Sequence, residues 1–487
     1  MVPNKHHHLY EQLSKVLGSK YVSDYDFAVL AYMKDVSPFY GKVKPGIIVK
    51  PLTTEEVSEI VKIANDNNTP VIPRGGGASA FGSPFLVIPK NHEGKSIVID
   101  MTRMDGILKI DEKNMTVTSQ CGITLGELET FVRRIGFHLN TVIMPFYTDT
   151  LGGVMSGITC GGIDTDAPTV GTMADYIESF KVVLPNGDVL QTGGGPGTNV
   201  NSKDVIARYW GSPDLTGLFI GDGGAFGIKT EATLRILPIE EYTVGHGFLF
   251  NNFEDSWKAI SQMMDQKKIP YSGLMGFDPE ATKFDLKIDR KYWSVIYYIS
   301  SHREEDLKNR EEVADRICRN ANGIAGVEEA ENYGWKYANA GWRMMGETFS
   351  YGAFSFIDAL TTKSEFPGFY PKARSFFYKQ FEDHKLTSED TIEYTFIIPW
   401  LQHACLAGIN IVYEEPNEKV RNAVSSILLD YFNFILKEGA ISDASQGIGA
   451  DIMSNYWSPT LKQLMNTLKK AIDPNNILNP ALWKLGL

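Results

Sequence analysis

Glycine placement constrains this chain more than any other feature. Its 45 glycines gather most densely in three places. These are Arg74-Gly75-Gly76-Gly77-Ala78-Ser79-Ala80-Phe81-Gly82, the stretch from Thr150-Leu151-Gly152-Gly153 through Gly157 to Gly161-Gly162, and Gly221-Asp222-Gly223-Gly224-Ala225-Phe226-Gly227-Ile228. Glycine lets successive backbone N–H groups crowd around one concavity and point into it, which suits a diphosphate. Taken singly, each stretch also reads as an irregular turn. Three of them in one mixed region imply backbone brought close to a large planar, phosphate-bearing ligand, where a Cβ would collide. The first stretch lacks the GK[ST] ending of a P-loop and does not open a helix as GxGxxG does, so neither common nucleotide loop fits.

Regular structure surrounds these loops. Gly46–Lys50 is a β-branched run, and Thr53 with Glu56 forms a capping box for a helix that buries Val57, Ile60, Val61 and Ala64. Thr69–Pro73 is a second strand, running straight into the first loop. Ile97–Asp100 and Met115–Thr118 read as strands, and Thr124 with Glu127 caps a helix ending near Gly136. Phe180–Leu184 and Val189–Gln191 flank Pro185-Asn186-Gly187-Asp188, a strong hairpin signal. A last strand, Ala232–Pro238, follows the third loop. Beyond residue 240 glycine thins out and aromatics such as Trp293, Trp335, Tyr351, Phe354, Phe356, Tyr370 and Trp400 become frequent. A chain of 487 residues exceeds one core. The expected class is α+β, divided as an N-terminal helical extension over 1–45, a glycine-rich domain over 46–240, an α+β cap over 241–440 and a tail over 441–487 that packs back on the glycine-rich domain.

A formal net charge of −12 gives no basic footprint for nucleic acid. No apolar run approaches the roughly 20 residues that span a bilayer. The beginning MVPNKHHHLYEQLSKVL lacks the apolar core and cleavage site of a secretory signal. His6, His7 and His8 read as a solvated polar start or a weak metal site. The four cysteines, Cys121, Cys160, Cys318 and Cys405, form no CxxC pair. That argues against an iron–sulfur cluster held by this chain alone and for a reducing, cytoplasmic setting.

Three stretches in order resemble the FAD-binding domain of the vanillyl-alcohol oxidase/p-cresol methylhydroxylase superfamily (PCMH type). They are Val71-Ile72-Pro73-Arg74-Gly75-Gly76-Gly77, Thr150-Leu151-Gly152-Gly153, and Gly224-Ala225-Phe226-Gly227-Ile228-Lys229-Thr230-Glu231-Ala232-Thr233-Leu234. The hairpin at Val182–Gly187 and the ending Asp473–Pro480 fit as well, and the branch resembled is that of glycolate oxidase and D-lactate dehydrogenase flavoproteins. The resemblance implies a two-subdomain FAD domain under a cap. It implies that Pro73, Arg74, Gly75, Gly76, Gly77, Ala78 and Ser79 wrap the FAD diphosphate. Thr150, Gly152, Gly153 and Gly157 would lie along the diphosphate and flavin, Gly227 and Ile228 would touch the cofactor by backbone, and Asn479 would approach the flavin from the tail. No histidine lies between Arg74 and Phe85, so FAD is expected to be non-covalent at this loop.

The chain departs from the 2-hydroxyacid branch in its cap. Where relatives carry HAGDGNLH, this sequence reads His403-Ala404-Cys405-Leu406-Ala407-Gly408-Ile409-Asn410, and Ser445-Gln446 stands where a tail Glu-His pair belongs. One imidazole among neutral amides is a poor zinc site, so no metal is expected. His403 is a candidate general base facing the flavin, or a structural histidine. Arg343 is a candidate clamp for a substrate carboxylate, or a surface arginine. Asp222 stands one place before the acidic residue of the family's GSEGTLG stretch. The resemblance implies an FAD-dependent dehydrogenase taking a hydride from a hydroxyl-bearing carbon to flavin N5, as in 2-hydroxy acids. Oxidation of a phenolic substrate, reduction of an activated double bond, a redox-neutral transferase and an electron-relay subunit are the alternatives. No NAD(P) fingerprint is visible, so the electron acceptor is expected to be another flavoprotein, a quinone or oxygen, and a homodimer stays open.

Overall fold

A computed structural model describes residues 7–39, 43–79, 90–139, 148–157, 171–288, 291–340, 350–442 and 446–486. The first sheet has the order Val22–Ser23, Ile47–Val49, Ile97–Asp100, Val71–Arg74, the last three strands being parallel. The helix Thr54–Asp66 crosses between two of them and buries Val57, Ile60, Val61 and Ala64 completely, as its period dictates. Its start differs from the expected reciprocal box. Thr53 does accept the Glu56 N–H, but the Glu56 carboxylate reaches past the cap to the Leu52 N–H at 2.6 Å. The helix Leu125–Arg134 does carry the full box between Thr124 and Glu127.

The second sheet is antiparallel, in the order Ile107–Asp111, Thr116–Gln120, Ile228–Arg235, Ile177–Val183, Val189–Gln191. Its last pair is the hairpin read from Pro185–Asp188, with Gly187 at φ 84. Ile228 faces the core of the first sheet, while Ala232 and Leu234 face that of the second. The strand Ile228–Arg235 thus joins the two sheets just after the third glycine loop.

The cap is one six-stranded antiparallel sheet, in the order Tyr242–Phe250, Trp293–Ser301, Gly273–Phe277, Thr391–Trp400, Ala404–Tyr413, Ala353–Thr362. One face packs Ile357, Ala359, Ile397, Ala407 and Ile409 against the helices Phe253–Met264, Glu304–Asn320, Phe366–His384 and Glu418–Lys437. The other face buries Tyr394, Phe396, Ile398 and Leu406 with the helices Pro279–Leu286 and Glu328–Ala340. The aromatic wealth of this half is therefore mostly core.

The chain then leaves the cap. Leu360 pairs with Ile441 at the edge of the cap sheet, and the helices Gly447–Tyr456 and Pro459–Ile472 follow. Val71 N–H donates to the Ile477 carbonyl at 2.7 Å, and Asn479 N–H to the Val71 carbonyl at 3.0 Å. Leu482, Trp483 and Leu485 complete the core of the second sheet. The N-terminal segment is also woven in: Leu13 and Leu17 enter the first core, and Val22–Ser23 adds an edge strand to its sheet. Among the described residues no helix is long and apolar enough to cross a membrane.

Candidate active site

All three glycine loops contribute to the wall of one cleft. Pro73, Arg74, Gly75, Gly76, Gly77, Ala78, Ser79, Thr150, Gly152, Gly153, Gly227 and Ile228 line it. Gly157 and Asn479 do not. Ala80–Gly82, Gly161, Gly162, Arg343 and Ser445 lie outside the described residues.

Several of the glycines also meet protein atoms of the other loops. A Cβ on Gly75 would overlap the Thr150 hydroxyl, one on Gly76 the Thr148 carbonyl, and one on Gly227 the Val182 side chain. A Cβ on Gly152 would lie 2.8 Å from the Cβ of Cys121. At these positions the close approach is between the loops themselves. The third loop is tied to the second in the same way, with Gly221 and Gly223 N–H donating to the Met155 and Ser156 carbonyls at 2.7 Å each. The glycines knit three chain segments into one wall.

Arg74 also has work other than the one expected. Its Nη1 and Nη2 donate to the Tyr32 and Lys34 carbonyls at 2.9 Å each, with the guanidinium over the Tyr32 ring. It clamps the N-terminal segment across the loop. That segment brings Asp35 into the cleft, a residue the sequence reading missed. The Asp35 Oδ1 accepts from the Ser37 N–H at 2.9 Å and hydroxyl at 2.6 Å. Burial, opposed by these bonds and by Arg74, pushes its carboxyl up to about 6.

Asn479, expected to approach the flavin, does not line the described cleft and is bonded to the third loop. In the left-handed region at φ 37, it donates through Nδ2 to the Gly223 carbonyl at 2.5 Å. Two buried ion pairs finish the support. Lys229 Nζ meets Asp222 Oδ1 at 2.6 Å, and that oxygen also accepts the Gly224 N–H. Lys469 meets Asp473 at 2.7 Å and donates to the Ala225 and Leu478 carbonyls. Lys229 reaches the cleft wall with its ammonium already committed. Burial pushes the Cys121 thiol up to about 12, so this cleft residue is an inert filler.

Gln446 was read as a lost histidine position, yet it lines the cleft. Its Nε2 lies 3.4 Å from the Gly153 carbonyl. His403 was expected to face the flavin and does not line the cleft. The strand register pairs Trp400 with Ala404, so residues 401–403 are the hairpin turn, and His403 is exposed there. The turn is pinned by its backbone, the His403 carbonyl accepting from Lys363 N–H at 2.8 Å. Among the described residues no three His, Cys, Asp or Glu side chains converge as metal ligands.

The cleft lies in the two-sheet domain, with Gln446 and Leu482 of the tail in its wall. Residues 45–193 match the FAD binding domain family, and residues 239–482, half of the chain, match the C-terminal domain of FAD linked oxidases. The chain belongs to the FAD-linked oxidases. It is 26% identical to the glycolate oxidase subunit GlcD of Bacillus subtilis, over 96% of this chain and 95% of that one. It is 25% identical to the alkyldihydroxyacetonephosphate synthase of Dictyostelium discoideum, over 90% of this chain and 74% of that one. The structure of 4-ethylphenol oxidase from Gulosibacter chungangensis superposes with a TM-score of 0.82 at 17% identity, covering 100% of this chain and 98% of the other. The expected α+β fold, PCMH-type domain and cap are borne out, and the protein is an FAD-dependent oxidoreductase.

Proposed function

We propose that this oxidoreductase dehydrogenates a 2-hydroxy acid or a related alcohol, with FAD seated in the cleft. The observation that carries this reading is the convergence of the three loops and Gln446 on one cleft, in a chain that aligns with a glycolate oxidase subunit along nearly its whole length. When bound, FAD supplies the hydride acceptor.

The chain's own part is to hold and orient. With Arg74 committed to the Tyr32 and Lys34 carbonyls, grip on the diphosphate falls to the backbone N–H groups of residues 75–79. Backbone donors fixed by loop packing need no reorganisation when the ligand arrives. The Asp222–Lys229 and Lys469–Asp473 pairs keep the third loop in place, and Asn479 fastens it to the strand Val71–Arg74. His403, in its exposed turn, has no part in this reading.

The test is anaerobic mixing of the purified holoprotein with glycolate, both enantiomers of lactate, and 4-ethylphenol. Bleaching of the oxidised flavin band by a hydroxy acid and not by the phenol is expected. Bleaching by the phenol alone, or by none of them, would overturn the substrate class.

A further inference from the structure

Asp149 is nine-tenths buried, lines the cleft, and has no hydrogen-bond partner for its Oδ2 among the described residues. Its position is fixed from both sides. Thr148 and Thr150 pack their carbonyl and hydroxyl on Gly76 and Gly75, in the loop assigned to the diphosphate. The Asp149 carbonyl accepts the Leu125 N–H at 2.9 Å, and Thr150 bridges to Thr124. The backbone here is fixed, and the carboxyl's Oδ2 is shielded from water.

Among the described residues that line the cleft, none is a free cation able to neutralise it. The other titratable groups lining the cleft are Asp35, Arg74, Cys121 and Lys229. Lys229 is paired with Asp222, and Arg74 is spent on two carbonyls. Asp35 and Cys121 would add negative charge or none. A carboxylate facing an anionic diphosphate in a dry cleft is repelled, whereas a neutral carboxyl becomes a donor. Burial alone holds the Asp149 carboxyl well above the usual carboxylate range, in agreement.

We propose that Asp149 presents a protonated carboxyl to an acceptor oxygen of FAD and holds the cofactor as a hydrogen-bond donor. This rests on FAD occupying the cleft. One neutral donor of this kind contributes a factor of about ten in affinity. Because only the protonated form donates, affinity falls as pH rises through the carboxyl's raised pKa, by about tenfold per pH unit beyond it.

The test measures FAD binding to the apoprotein by flavin fluorescence, from about pH 6 to about pH 9, which spans the region above ordinary carboxylates. Asp149→Asn keeps a neutral donor and Asp149→Ala removes it. Asp149→Asn should bind FAD within about threefold of the unmodified protein at the lower pH and keep only the pH dependence that Asp35 gives to both proteins; Asp149→Ala should bind about tenfold more weakly. Calorimetry with ADP locates the acceptor. A loss shared by ADP places it on the diphosphate, and a loss confined to FAD places it on the ribityl-isoalloxazine part. Normal FAD affinity in a folded Asp149→Ala, or one common pH profile for Asp149→Asn and the unmodified protein, would overturn the proposal. If Asp149→Ala does not fold, the Asp149→Asn pH profile still decides. Ala78→Trp, which fills the cleft wall, separates the two readings: undiminished FAD binding there would refute the cleft and not Asp149.

Discussion

The Gln446 side-chain amide occupies the space that any side chain at Gly157 would need, its Nε2 and Cδ both falling where a Cβ would stand. This contact locks the start of the helix Gly447–Tyr456 onto the end of the helix Leu151–Gly157, 289 positions away in sequence by their numbers. Gly157 is thus packed against the tail. Gly157→Ala should destabilise the holoprotein by about 1–3 kcal/mol through overpacking. Adding Gln446→Ala should recover much of that loss, as coupled neighbours do. Chemical denaturation of the single and double variants checks both.

The buried Asp222–Lys229 pair gives a second expectation. Burial raises the Asp222 carboxyl and Lys229 holds it back down. Asp222→Asn would leave the Lys229 ammonium buried without a counter-charge, at a cost of about 3–5 kcal/mol. The double change Asp222→Leu, Lys229→Met should cost much less, because it removes both charges together. Urea midpoints of the two variants distinguish a structural pair from an incidental one.

His246 makes cap stability depend on pH. Its ring nitrogens sit 3.0 Å from Glu331 and 2.8 Å from Glu311, on two different helices. Burial works against the charged ring, but Glu331 and then Glu311 outweigh it and the pKa is raised. The stabilisation is complete below the unfolded value of about 6.5 and fades as pH rises through the higher folded value. The melting temperature should therefore decline on the mildly alkaline side, and His246→Gln should flatten that slope. Equal slopes in both proteins would show that the bridge contributes nothing.

For His403, the exposed turn makes His403→Asn a mild change. The variant should keep its FAD, and flavin reduction by the preferred substrate should stay within about threefold of the unmodified rate. A fall of about 10²–10⁴, the range for a lost general base, would return His403 to the chemistry.

The glycine loops were legible because tight backbone approach leaves a compositional trace, and the parallel unit was legible from its helical period. What the glycines approach was not legible. The partners of Gly75, Gly76 and Gly157 are Thr150, Thr148 and Gln446, which tertiary packing alone brings near. Asp35 was missed because it lies in an irregular segment with no period, held by an arginine about forty positions on. His403 was misplaced because a motif aligned by residue type ignores strand register, and the Trp400–Ala404 pairing puts it in a turn. Asp222 read as a displaced family acid, since its partner Lys229 becomes visible only when the loop between them folds back.

The most direct measurement is a crystal structure of the purified yellow protein. FAD should lie in the cleft, with its diphosphate oxygens against the backbone N–H groups of Gly75–Ser79 and an acceptor oxygen within hydrogen-bonding distance of Asp149. FAD bound elsewhere, or a diphosphate gripped by the Arg74 side chain with the N-terminal segment released, would contradict the site described here.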